Sequence, residues 1–175
     1  MKTKNKTNIF IVDDNKVFTL ALKADIESSF VNMPVMVHTF ETGEACMKKF
    51  NEIKPQVVIL DYHLTNKKSD ENDGIKVLDR IKKENYHTNV IILTVDDNIE
   101  IALKSFRHGA SDYVVKTETA FRKINYSLLH LFKMMEAKND AKRYRRMVIG
   151  LVLCVAVVII VVTAIQIYNP SLLNR

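Results

Sequence analysis

The sequence predicts an α/β fold: a doubly wound, five-stranded parallel sheet, followed by one long apolar helix. Three observations carry that expectation. Apolar runs such as Val57-Val58-Ile59-Leu60 show no alternation, as in strands buried on both faces of a parallel sheet. Stretches with apolar residues at helical spacing follow these runs, so that strand and helix alternate five times. Residues 147–168 then run 22 positions without a charge. At about 1.5 Å per residue this is about 33 Å of helix, close to a bilayer core of roughly 30 Å.

The first strand is expected over residues 9–12. A helix of about 14 residues follows from Asn15, with Phe18, Ala21, Leu22 and Ile26 as its apolar side. Residues 35–40 read as the second strand, where His38 is expected as a solvated or edge residue. Thr42-Gly43-Glu44-Ala45 opens the next helix, whose apolar side is Cys46, Met47 and Phe50. Pro55 bounds the central strand, which ends abruptly at Asp61. The chain then spends 12 residues before Gly74, including Asp70, Glu71 and Asp73, which read as solvated charges of a functional or mobile loop. Ile75, Val77, Leu78 and Ile81 mark a helix ending near Asn85, and a fourth strand reaches Thr94. Asp96-Asp97-Asn98 starts a helix with Ile99, Ala102, Leu103 and Phe106 as its apolar side, stopped at Gly109. Tyr113-Val114-Val115 is the last strand. The final helix starts near Glu118 with a stripe of Phe121, Ile124, Leu128, Leu131 and Met135.

In an open parallel sheet, chemistry sits at the carboxyl ends of the strands. Here those ends carry Asp13-Asp14, Asp61, Thr94 and Lys116. Asp13 and Asp14 also precede a helix, and capping is their ordinary use, but one Asp would satisfy it. Three carboxylates brought together repel unless a cation sits among them, and hard oxygen donors suit Mg²⁺. Lys116 would balance the charge of an incoming anion and Thr94 would donate a hydrogen bond to it. The set reads as a site for a phosphoryl group carried on a carboxylate.

At these residues the chain resembles the response-regulator receiver domain of two-component signalling, over roughly residues 7–135. An acidic pair, an Asp, a Thr, an aromatic residue and a Lys recur in the family's order at the expected strand ends. The resemblance implies a flavodoxin-like sheet of order 2-1-3-4-5. It implies Asp61 as phosphoacceptor and Mg²⁺ held by Asp13, Asp14, Asp61 and the main-chain carbonyl of His63. Thr94 and Tyr113 take the positions of the family's switch pair, and Lys116 pairs with the phosphoryl group. The resemblance places the side chains of His63 and Asp96 at positions that in the family bias phosphoryl lifetime. Three departures stand out: the loop before Gly74 is about five residues longer than usual and lacks its Pro; Val95 replaces a small residue; and Thr117 replaces the Pro whose cis peptide orients the Lys.

The organisation expected is a polar segment at 1–8, the receiver domain at 9–135, a basic juxtamembrane helix at 136–146, a transmembrane helix at 147–168 and a tail at 169–175. The formal charge of +6 is local: residues 1–115 hold 16 basic and 17 acidic side chains, whereas residues 116–146 hold nine basic and three acidic. That placement beside an apolar run disfavours a nucleic-acid partner. Cys46 and Cys154 have no metal or redox spacing, and no signal peptide is expected in the polar, basic first residues. Gly150 and Cys154, four apart, offer a small-residue face for a homodimer of spans. No helix-turn-helix or catalytic motif is expected after the receiver. The expected protein is therefore a signalling domain rather than an enzyme, anchored in a bacterial inner membrane with its receiver in the cytoplasm. It would take phosphate from a histidine kinase or phosphotransfer protein and act on a downstream effector. The rival expectation is a membrane scaffold that keeps the fold without needing phosphate.

Overall fold

Val57–Asp61, the strand at the centre of the sheet, is buried along its whole length, and the remaining elements are placed by it. The computed structural model describes residues 6–64 and 73–168, so expectations for loop residues 65–72 and the tail 169–175 lie outside the described residues. The chain divides into two units, Met1–Leu129 and His130–Arg175. The elements are β1 (Thr7–Val12), α1 (Lys16–Ser29), β2 (Val35–Phe40), α2 (Gly43–Ile53), β3 (Val57–Asp61), α3 (Asp73–Glu84), β4 (Asn89–Thr94), α4 (Ile99–Arg107), β5 (Asp112–Val115) and α5 (Ala120–Tyr168). All strand pairs are parallel and the sheet order is β2-β1-β3-β4-β5.

Strand periodicity assigns the two faces. Phe10, Val12, Val58, Leu60, Val90 and Ile92 pack with Cys46, Phe50, Ile75, Leu78 and Ile81 of α2 and α3. Alternate residues Ile9, Ile11, Ile59, Ile91 and Leu93 are likewise fully buried. On that side α1 meets the first turns of α5: the Phe18 and Phe121 rings lie 5.3 Å apart, and Asn125 Nδ2 donates to Asp25 Oδ2 at 2.7 Å. Burying each large apolar side chain is worth about 1.5–3 kcal/mol, so the sheet is anchored from both faces.

Helix starts follow the capping residues in the sequence. The side chains of Asn15, Thr42 and Asn98 accept from the N–H groups of Phe18, Ala45 and Glu100, respectively. Gly109, at φ 93°, ends the segment after α4, where a side chain would be strained.

Two expectations are corrected. Ile99, Leu103 and Phe106 are 74%, 51% and 47% exposed, so they do not form the inward side of α4. That helix instead buries Ser105 and leans inward through Ile101. Ser105 Oγ donates to Ile101 O at 2.8 Å, which lets a hydroxyl face the sheet at little cost. The same device rotates α1: Thr19 is buried with its Oγ1 donating to Lys16 O at 3.0 Å, and Ala21 is exposed. His38 lies on the edge strand as expected and is half-buried. Its ring meets Phe10 edge-on at 5.5 Å, and Nε2 is buried with no hydrogen-bond partner. Burial, assisted by the Lys23 charge, lowers its pKa.

In the second unit α5 continues to Tyr168. It is the one described helix long and apolar enough to cross a membrane, and none of its most apolar stretch is buried.

Gly74 begins α3 against the backbone of β3: a Cβ there would lie 2.6 Å from Asp61 O and 2.7 Å from Tyr62 Cα. Backbone cannot yield as a side-chain tip can, so Gly74→Ala should cost about 1–3 kcal/mol. A lowered urea midpoint is the expected result; an unchanged midpoint would show that the α3 start is not tightly seated on β3.

Candidate functional site

The parallel register brings the strand-end groups together. Val12 pairs with Leu60, which places Asp13 beside Asp61. Thr94 pairs with Val115, and Lys116 N–H donates to Thr94 O at 2.6 Å, fixing the start of the Lys116 side chain. Asp13 and Asp61 are only 1% and 4% exposed. Lys116 Nζ lies 2.8 Å from Asp13 Oδ2 and 2.8 Å from Asp61 Oδ2. It also sits 5.3 Å from the centre of the Phe18 ring, a cation–π contact on its apolar side. Carboxylate oxygens of Asp13, Asp14 and Asp61 all come within 4.8 Å of one another.

The remaining lone pairs are partly used. Asp13 Oδ1 accepts from Asn15 N–H at 2.9 Å, and Asp61 Oδ1 accepts from His63 N–H at 3.3 Å. Asp13 Oδ2, although at ion-pair distance from Lys116, is buried without a well-directed hydrogen bond. Burial raises the Asp61 pKa; the Lys116 hydrogen bond and charge oppose this, and the Asp13 charge adds to it. For Lys116, burial disfavours the ammonium, but the hydrogen bonds and charges of Asp13 and Asp61 together outweigh it and hold the pKa above the usual lysine value. One ammonium therefore serves two buried carboxylates, with a third acid beside them.

Of the other four sequence-selected groups, three meet at the fourth, Asp96. Thr94 is fully buried, and its Oγ1 accepts from Asp96 N–H at 3.1 Å, leaving the hydroxyl proton available to donate. Tyr113 OH donates to Asp96 O at 2.7 Å. His63 Nε2 and Asp96 Oδ2 are 2.6 Å apart, joining the loop after β3 to the loop after β4. Position alone selected His63 and Asp96; their direct pairing, and the attachment of Thr94 and Tyr113 to the same peptide segment, have no signature in the sequence. The sequence likewise shows Phe18 only as a helix-face residue, and nothing in a helical stripe marks it as the ring beside Lys116.

Two departures have clear structural outcomes. No described peptide bond is cis, yet Lys116 still reaches both carboxylates. Val95 is 65% exposed.

Comparisons with known proteins agree with this geometry. The family model described as the response regulator receiver domain matches residues 9–125. The chain is 31% identical over 108 residues to the regulatory protein AtoC of Escherichia coli, covering 62% of this chain and 22% of AtoC. It is 28% identical over 112 residues to the DNA-binding transcriptional regulator NtrC of Proteus hauseri, covering 63% and 22%. It thus spans about a fifth of the length of these two relatives. Among solved structures, the BeF3-activated receiver domain of DrrB, a Thermotoga maritima protein, superimposes with TM-score 0.62 at 27% identity, covering 73% of this chain and 98% of that one.

The electrostatics predict a pH-dependent stability difference for Asp61→Asn. Because the folded-state pKa of Asp61 lies above the ordinary value of 3.8, the native state binds the proton more readily than the unfolded state. Its charge therefore costs stability progressively as pH rises from that value through the folded pKa. At pH 7 Asp61→Asn should have a higher urea midpoint than wild type, with the gap closing as pH falls below 3.8. A less stable variant at pH 7 would mean that Lys116 more than offsets the burial of the charge.

Proposed function

The chain belongs to the response regulator receiver domain family of two-component signalling, and from that premise we propose that it accepts a phosphoryl group on Asp61 and relays that event from a membrane. The observation that carries this reading is the Lys116 ammonium bridging Asp13 and Asp61, with Asp14 alongside. A carboxylate oxygen of Asp61 attacks the phosphorus of a phosphohistidine on a kinase or phosphotransfer protein. The O–P bond forms as the N–P bond breaks, and the imidazole leaves with the electron pair. Lys116 offsets charge on the phosphoryl oxygens, and the Thr94 hydroxyl is placed to donate to one of them.

Mg²⁺ fits the same residues. Asp13 Oδ2 is a buried carboxylate oxygen held 2.8 Å from the Lys116 ammonium, and the three carboxylates of Asp13, Asp14 and Asp61 supply hard oxygen donors within 4.8 Å of one another. Asp13, Asp14, Asp61 and the His63 carbonyl would hold it, and when bound it would supply charge neutralisation for the carboxylates and the phosphoryl group.

The switch would run through Asp96. A Thr94 hydroxyl drawn toward a phosphoryl oxygen pulls on the segment that also holds Tyr113 OH. That segment leads into the exposed apolar side chains Val95, Ile99, Leu103 and Phe106, a surface suited to an effector protein. The His63–Asp96 pair joins the loops after β3 and β4, where it would bias access to the phosphoryl group and hence its lifetime.

The membrane part of the proposal rests on the exposed apolar stretch of α5. Lys138, Lys142, Arg143, Arg145 and Arg146 precede it, and Arg175 alone follows. This asymmetry favours a cytoplasmic receiver, with anionic lipid contributing about 1 kcal/mol per nearby basic residue.

Phosphotransfer tests the first half. With Mg²⁺ and a panel of histidine kinases, wild type and Thr94→Ala should take label and Asp61→Asn should lose nearly all of it. Equal labelling of Asp61→Asn would reject the acceptor; no labelling of wild type by any donor would favour the phosphate-independent scaffold. Topology tests the second half. With Cys46 and Cys154 replaced, a cysteine introduced by Ser171→Cys should react with an impermeant maleimide in intact cells. Reaction only after lysis would invert the orientation, and recovery of the full chain in the soluble fraction would remove the anchor.

A further inference from the structure

Within the second unit, His130–Arg175, α5 is one unbroken helix to Tyr168. Its charged stretch is ordered in a way that neither the phosphoryl site nor a lone anchor requires. Between Glu136 and Arg146 the only apolar or aromatic side chains are Ala137, Ala141 and Tyr144. Met134 lies one step before them, so the four are spaced by alternating steps of three and four residues. At 3.6 residues per turn they fall within an arc of about 80°. All four are exposed, Met134 at 44% and Tyr144 at 68%. The same spacing runs on through Val148, Leu151, Val155 and Val158, which are also exposed. Every register of the uncharged run is apolar, so Met134–Tyr144 sets the phase.

Alternating steps of three and four mark the a and d positions of a seam between two helices. With Met134 and Ala141 at a, and Ala137 and Tyr144 at d, the flanking positions follow. Lys133 and Asp140 take g, whereas Lys138 and Arg145 take e. In a parallel pair each g residue faces the e residue five further on in its neighbour. Asp140 of each copy therefore faces Arg145 of the other, and two-fold symmetry makes that pair twice. Lys133 faces Lys138, a like-charge pair of long side chains at the rim, where repulsion is weak. Glu136, Arg143 and Arg146 fall at the outer positions c and f. Gly150 and Cys154 fall at c and g, so the seam is not the small-residue face expected for paired spans.

We propose that a second copy of this chain covers the Met134–Tyr144 face, in a parallel two-helix seam that continues into the uncharged run. Only the continuation rests on the membrane reading above. Met134 and Tyr144 supply most of the apolar area in the charged stretch, and the two alanines let the helix axes approach. In the uncharged run lipid removes the hydrophobic drive, and close packing of Val148, Leu151, Val155 and Val158 takes its place. Copies inserted in the same direction can pair only in parallel, the arrangement that brings Asp140 to Arg145. The result is two phosphoacceptor sites carried on one paired anchor.

Disulfide crosslinking of the full chain, in membranes of cells expressing it at low level, tests this. Cys154→Ala removes the exposed thiol; Cys46 is buried, its pKa pushed up to about 12, and stays reduced. Single cysteines are introduced by Ala137→Cys, Ala141→Cys and Tyr144→Cys on the seam, and by Glu136→Cys and Arg143→Cys off it. With copper phenanthroline, covalent dimer should form at the seam positions at least about fivefold faster than at the outer ones. With Ala141→Cys as reporter, Asp140→Arg should slow crosslinking severalfold, and adding Arg145→Asp should restore it, because the pair is then reversed rather than lost. Equal rates at all five positions would overturn the proposal, as would failure of the reversed pair to restore the rate. Crosslinking through the native Cys154 in place of the three seam positions would move pairing to the small-residue face and overturn it too. Recovery of the chain in the soluble fraction would defeat the anchor; the same positional pattern in solution would still uphold the Met134–Tyr144 seam, and its loss would overturn it.

Discussion

Two buried carboxylates share one ammonium, and the rest of the first unit is arranged to keep them there. Asp13 and Asp61 are almost wholly removed from water, a placement that is costly for any charge without a partner. Lys116 offsets much of that cost, and its own charged state is held by both acids. The sheet supplies the rigidity. β1 and β3 set the two carboxylates side by side, while the Lys116 N–H bond to Thr94 starts the ammonium toward them. Burial still raises the Asp61 pKa, so the site keeps unsatisfied demand for positive charge. That demand is a physical reason for the fold to accept a cation, and strain of this kind is what sites retain for function at the expense of stability.

Most of this could be read from the chain because strand ends concentrate chemistry. A continuous apolar run announces a buried strand, and a polar residue that stops it lies at the sheet edge where parallel neighbours deliver theirs. Asp13, Asp61, Thr94 and Lys116 are each the first polar group after such a run. The helices were harder. A pattern that counts only apolar residues puts Ile99, Leu103 and Phe106 inside, whereas Thr19 and Ser105 take buried positions because each hydroxyl bonds its own helix backbone. The convergence on Asp96 was also hidden. Two of its three bonds use backbone atoms, and backbone geometry leaves no residue-type signature.

The same topology gives the unit two electrically different ends. Carboxylates and helix caps crowd the edge where strands finish, whereas the edge where strands begin has turns built from Asn, Pro, Gly, Met and Tyr.

Mg²⁺ titration of the protein followed by amide chemical shifts tests the central claim most directly, because it isolates the charge demand from any kinase. Wild type should bind one ion at the Asp61 edge. Asp13→Asn should bind it at least about tenfold more weakly, and Lys116→Met should bind it more tightly, since the competing ammonium is gone. Equal affinity in all three proteins, or shifts confined to residues away from Asp13, Asp14 and Asp61, would contradict the account.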